Sequence, residues 1–168
     1  IIWLNRSERM AAPGLFLIDA KWEGKVEVTE TLRKYLEDKK PKTVALFAAV
    51  QFSELDEFTA GIEKMGIKIV TTLAKRKEKE GQILGCDCYP DAFKDPIIQN
   101  ADLILYIGDG MFHPKAILLA QAKEKHPKPF TIFDPVSDRM IEVSQKDIAE
   151  QIKRKIRNLK LFMNANTI

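Results

Sequence analysis

Two short stretches of this chain hold the residue types and spacings that could do chemistry. The first is ADLILYIGDGMFHPKA, residues 101–116, where an apolar run meets Gly108-Asp109-Gly110 and then His113-Pro114. Glycines let a backbone take positive φ and come close to a ligand. The N–H groups of a helix opening near Pro114 favour an anion, through their free donors and the helix dipole. A phosphate, a carboxylate or the amino-acid tail of a sulfonium compound suits such a place, and Asp109 suits a hydroxyl or an ammonium group. No Gly-Lys-Ser/Thr follows, so this is not a Walker loop, and the G-x-G-x-x-G spacing of a dinucleotide fingerprint fails at His113. The same residues also fit a plain tight turn between a strand and a helix.

The second stretch, GQILGCDCYP at 81–90, contains both cysteines of the chain, Cys86 and Cys88. With one residue between them they do not form a structural zinc knuckle, which needs a wider pair and a second pair of ligands. A disulfide across one residue would be strained, and the C-x-x-C redox spacing is absent. His113 and His126 are the two histidines; His126, in KEKHPKP, reads as a solvated loop residue. Two readings stay open. One thiolate contributes to a metal or cluster whose other ligands lie elsewhere, or the pair is small apolar filler.

Alternating strands and helices must position these stretches. Residues 15–20 (LFLIDA) read as a strand, followed by a helix over 29–39 with Leu32, Tyr35 and Leu36 at helical spacing. Residues 43–50 (TVALFAAV) are continuously apolar, as in a strand covered on both faces. A helix is expected from Ser53, with Asp56 in a capping-box position and Gly66 as its stop. Residues 67–72 form the next strand, and the charged KRKEKE at 75–80 a solvated loop. Residues 91–100 read as an irregular helix bent or ended by Pro96, and 101–107 as the clearest strand. A helix over 114–123 with Pro114 first, a strand at 130–133 ended by Asp134-Pro135, and a helix capped by Ser144 and Asp147 complete the chain. That last helix carries Ile148, Ile152, Ile156 and Leu159 along one face.

This order predicts an α/β fold: a three-layer, doubly wound, mainly parallel sheet flanked by helices. Ligands in such folds bind beyond the carboxyl ends of the strands. Gln51, the GQILGCDC stretch and residues 108–113 all follow strands in that way.

At 168 residues the chain suits one domain, with 161–168 a possible start of a following one. A composition of 45% hydrophobic and 30% charged residues is that of an ordinary globule. The 27 basic residues are interleaved with 24 acidic ones, so the charge alone argues neither for nor against a nucleic-acid partner; no direct nucleic-acid binding is expected. Two cysteines make no secreted disulfide framework, and no apolar run approaches a membrane span. The opening IIWL lacks the flanks of a signal peptide, so the expectation is a cytoplasmic protein.

GQILGC together with ADLILYIGDGMFHPKAILLA resembles the diphthamide synthesis family of archaea and eukaryotes. Its members show a GQ-x-LGC segment and then a strand ending in GDG-x-FH. Ala49-Val50-Gln51 is similar to their upstream Val-Gln pair, and LFLIDAKW to the segment opening their middle domain. The resemblance covers about residues 13–165. It implies a transferase built from three related α/β domains, each giving one cysteine to a shared 4Fe–4S cluster. There S-adenosylmethionine is cleaved to a 3-amino-3-carboxypropyl radical, which attacks a histidine of translation elongation factor 2. On that resemblance Cys86 is the middle-domain cluster ligand, Cys88 has no counterpart, and Gln51, Gly108, Asp109, Gly110 and His113 are candidates for binding the cofactor. A homodimer or heterodimer is implied for the full-length form. Phe52 departs from the pattern, standing where a polar residue, often His, follows the Val-Gln pair. The other two cluster cysteines are missing from these residues, which implies an excised middle domain or a degenerate homologue, hardly able to hold the cluster alone. The alternative is a non-catalytic α/β domain that binds a partner subunit or a nucleotide or phosphate.

Overall fold

A computed structural model describes residues 22–52, 54–71, 96–122 and 124–165. The expected strand at 15–20, Ser53, the charged run at 75–80, and Cys86 with Cys88 lie outside them.

Five strands form one sheet in the order β2-β1-β3-β4-β5: β1 Thr43–Ala48, β2 Lys68–Val70, β3 Leu103–Ile107, β4 Phe130–Asp134 and β5 Arg139–Val143. The first four run parallel, with Val44 opposite Leu103, Ala48 opposite Ile107 and Ile104 opposite Phe130. All of β3 and all but the first residue of β1 are buried. Their unbroken apolar sequences follow from having both faces covered. The flanking helices are α1 Glu30–Lys39, α2 Asp56–Glu63, α3 Ile97–Asn100, α4 Phe112–Ala120 and α5 Ala149–Met163. The expected doubly wound, mainly parallel architecture is what the chain forms.

Local chemistry sets the helix ends. The Thr29 hydroxyl accepts from the Leu32 N–H at 3.3 Å to start α1, whose Leu32 and Leu36 are buried. Ser144 and Asp147 make the expected capping box, with Asp147 Oδ2 accepting from the Ser144 N–H at 2.6 Å. The turn they cap is a 3₁₀ helix, Gln145–Ile148, which leads into α5. Of the stripe expected there, Ile148 is buried and Ile152 is half-buried, while Ile156 and Leu159 are exposed.

Three expectations are corrected. α2 begins at Asp56, not at Ser53, because residues 50–52 make a turn in which the Phe52 N–H donates to Ala49 O at 3.0 Å. Pro114 is the third residue of α4, not the first; the first helical donor is the N–H of Lys115, to Met111 O at 3.1 Å, so the ring still removes no bond. The strand β5 was not expected. It pairs antiparallel with β4 and buries only Val143, so pairing and the turn hold it while its sequence shows no apolar run. That turn is built by Asp134, whose Oδ1 accepts from the N–H groups of Val136 at 2.9 Å and Ser137 at 3.3 Å. Burial pushes the Asp134 carboxyl up, but these bonds, the Ser137 hydroxyl and Arg139 hold it below its ordinary value.

No helix among the described residues is long and apolar enough to cross a membrane.

Candidate functional site

The connections of β1 and β3 leave the sheet in opposite directions. From β1 the chain passes through α2 to β2 on one side, and from β3 through α4 to β4 on the other. The crevice between their carboxyl ends is therefore the topological switch point, where open α/β sheets bind ligands. Gln51 follows β1 and Asp109 follows β3. They meet across this crevice, the Gln51 Nε2 donating to Asp109 Oδ1 at 3.3 Å. Beneath them the Ala49 N–H donates to Ile107 O at 2.9 Å, extending the β1–β3 ladder to the crevice floor. The Trp22 N–H donates to Gln51 O at 3.0 Å and fixes the backbone from which Gln51 projects.

The Gly108-Asp109-Gly110 turn takes the conformations expected of it. Gly108 has φ 154° and Gly110 φ 69°. Gly108 is also required by its surroundings, since a Cβ there would lie 2.7 Å from Cε1 of Tyr106. Its N–H donates to Phe133 O at 3.0 Å, so the turn starts from a backbone held by β4. Asp109 and Gly110 are exposed beyond it. The turn thus offers a carboxylate and free space above a rigid base.

His113, the second residue of α4, is half-buried. The N-terminal residue Met111 makes no side-chain cap bond, and His113 turns to the sheet, where its Nδ1 lies 3.3 Å from the Tyr106 hydroxyl. The two rings stack with centroids 6.3 Å apart, and the exposed Phe112 ring meets His113 edge-on at 5.2 Å. Tyr106 itself is 1% exposed. Burial, and next the Asp109 charge, push its phenol well above the ordinary tyrosine range. Sequence reasoning missed Tyr106, which looks like one more β-forming residue in LILYI; the seven-residue step to His113, from strand end to first helical turn, was the available signal.

The structure therefore brings together Gln51, Gly108, Asp109 and Gly110, and ties His113 to them through Tyr106. His126 is exposed, as expected. Phe52 is buried and packs edge-on against Trp22 at 5.3 Å, adding no polar group to the crevice.

A family model described as a diphthamide synthesis protein matches residues 13–168. The chain belongs to the diphthamide synthesis family. The 2-(3-amino-3-carboxypropyl)histidine synthase subunit 1 of Gibberella zeae is 31% identical over 100 residues, covering 59% of this chain and 20% of that protein. The crystal structure of Dph2 from Pyrococcus horikoshii superposes with a TM-score of 0.60 at 23% identity, covering 79% of this chain and 37% of that one. A second structure of that Dph2, with a 4Fe–4S cluster, superposes with a TM-score of 0.59 at 22% identity. These superpositions show a shared fold. The chain spans about a fifth of the curated relative and about two fifths of the Dph2 chain.

Among the described residues no three His, Cys, Asp or Glu side chains stand close enough to hold a metal ion. Cys86 and Cys88, the two thiols of the chain, lie outside the described residues.

Proposed function

We propose that this chain is one domain of an enzyme of diphthamide biosynthesis, moving a 3-amino-3-carboxypropyl group from S-adenosylmethionine to a histidine of translation elongation factor 2. The observation that carries this reading is the closure of Gln51 on Asp109 across the switch point, in a chain of this family. In the net reaction the sulfonium carbon–sulfur bond breaks and a carbon–carbon bond to the imidazole forms. Methylthioadenosine and the displaced imidazole proton leave, and no electrons are consumed overall. A 4Fe–4S cluster, when bound, supplies and recovers the electron that opens the sulfonium bond.

Cys86 is the residue of this chain that would hold the cluster, with the further thiolates coming from outside these residues; Cys₃ ligation leaves one iron open. The crevice binds and orients the sulfonium compound. Asp109 receives its ammonium or a ribose hydroxyl, Gln51 holds Asp109 in place, and the glycine turn at the start of α4 receives its carboxylate. Action on the elongation factor implies a cytoplasmic enzyme, assembled as a homodimer or heterodimer in its full-length form.

Anaerobic reconstitution of the intact native polypeptide tests the ligand assignment. Iron content and cluster absorbance should be lost in Cys86→Ala and kept in Cys88→Ala; unchanged iron in Cys86→Ala refutes it. The burial of Phe52 against Trp22, where the family pattern has a polar residue, favours a second reading: a non-catalytic domain serving a partner subunit. Capture of elongation factor 2 without cleavage of S-adenosylmethionine would favour that reading.

A further inference from the structure

Residues 22–28 form neither strand nor helix, yet they run along α2 to the crevice. Val28 lies against Gly61 of α2, where a Cβ would stand 2.8 Å from Val28 Cγ2, and Lys25 Nζ reaches Glu57 Oε2 at 3.7 Å. Val26, between them in sequence, is buried in the core. The segment meets the turn after β1 at Trp22, in two ways. The Trp22 N–H donates to Gln51 O at 3.0 Å, and its ring meets the buried Phe52 ring edge-on at 5.3 Å. One contact fixes the Gln51–Phe52 peptide, and the other fixes the side chain that follows it. Gln51 needs such help. It gives up side-chain freedom to reach Asp109 Oδ1, and a bond of 3.3 Å to an exposed carboxylate offsets little of that loss unless the backbone is already held.

We propose that Trp22 is a positioning residue that clamps the turn after β1, so that Gln51 reaches across the crevice and sets the Asp109 carboxylate. Phe52 is the surface the clamp closes on, a role that needs burial and no polar atom, so it serves the crevice without lining it. Gly24 belongs to the same device. A Cβ there would stand 2.2 Å from Cζ2 of the Trp22 ring, so the bend at 24 leaves the room in which that ring lies. The effect of Trp22 on a ligand rests on the reading of the crevice as the sulfonium site; its hold on Gln51 does not.

Side-chain ¹⁵N-glutamine labelling of the intact native polypeptide, without ligand, reports the Gln51–Asp109 bond directly. Gln51→Ala assigns the amide signal, and Asp109→Ala gives its unbonded position. In Trp22→Ala the signal should move towards that position, and in Trp22→Phe, which keeps a ring against Phe52, it should largely return. A signal unchanged in Trp22→Ala overturns the proposal. If that variant does not fold, Gly24→Ala, which displaces the ring from an exposed bend, decides in the same way. Trp22→Ala should also weaken S-adenosylmethionine binding about fivefold, the loss of one ordinary hydrogen bond, and weaken it no further once Gln51→Ala is present. A residue that served stability alone would show no such coupling. Equal losses in both backgrounds overturn the proposal, as does affinity lost in Gln51→Ala but kept in Trp22→Ala. If the amide signal moves while both variants keep full affinity, the clamp stands and the sulfonium reading of the crevice fails.

Discussion

Two polar networks in this molecule are built around a tyrosine, and they end differently. At the sheet edge, the Tyr35 hydroxyl donates to Glu142 Oε1 at 3.2 Å, and Lys39 Nζ reaches the same oxygen at 2.7 Å. Lys39 also lies 5.5 Å above the Tyr35 ring, and nearby Asp138 accepts from the Thr31 hydroxyl at 2.7 Å. Lys39 and Glu142 offset each other's charge, Asp138 is held by a threonine hydroxyl, and the whole ties α1 to the β4–β5 hairpin. At the crevice, Tyr106 is sealed in the core with its hydroxyl 3.3 Å from His113 Nδ1, and above it the Gln51 amide donates to the exposed Asp109 carboxylate. A network that closes on itself fastens two elements. One that opens at a strand end has polar capacity left for something else.

The comparison can be broken first at its glycines. Gly108→Ala forces a side chain against Tyr106 at φ 154° and should destabilise the fold by roughly 3 kcal/mol, strain and clash together. Gly110→Ala, at φ 69° with open space around it, should cost about 1 kcal/mol. Urea unfolding of the two variants measures both. Equal values would mean that Tyr106 does not fill the space under the turn.

The second effect is at alkaline pH. The Tyr106 phenol is raised by burial, so the stability it contributes is present below the unfolded tyrosine value near 10 and is lost as pH rises beyond it. Tyr106→Phe should flatten that alkaline loss. Tyr35 is also raised, by burial first, but its half-exposed site makes its share smaller, so Tyr35→Phe should flatten it less. Unfolding midpoints between about pH 9 and 11 check the order of the two variants.

The smallest effect is at acid pH. The Lys39 hydrogen bond, then the Tyr35 hydroxyl, hold Glu142 below its ordinary value. Its contribution is therefore present above the unfolded carboxylate value and lost as pH falls through the lower folded one. Glu142→Gln should flatten the loss between about pH 5 and 3 slightly, and less so in high salt, since the group is exposed.

The sheet was legible because burial writes itself into sequence. After Thr43, TVALFA is wholly apolar, and LILYI carries no charged residue to face water, which marked β1 and β3 as central strands. The strand β5 was not legible, since Arg139, Ile141 and Glu142 face outward and its pairing depends on a turn built by Asp134. At the site, Gly108 and Gly110 announced a turn because few other residues take their backbone angles. The meeting of Gln51 with Asp109 was readable only as two residues following two strands; that β1 and β3 are neighbours is a fact of sheet order. Tyr106 stayed hidden because a buried tyrosine in a strand looks the same whether or not its hydroxyl has work to do.

The central claim is that the open network binds the ligand and the closed one does not. It is tested most directly by S-adenosylmethionine affinity in the intact native polypeptide, comparing Asp109→Asn with Glu142→Gln. Loss of one charge-assisted bond should weaken binding about tenfold in Asp109→Asn, with Glu142→Gln unchanged. Equal affinities in the two variants would contradict the account.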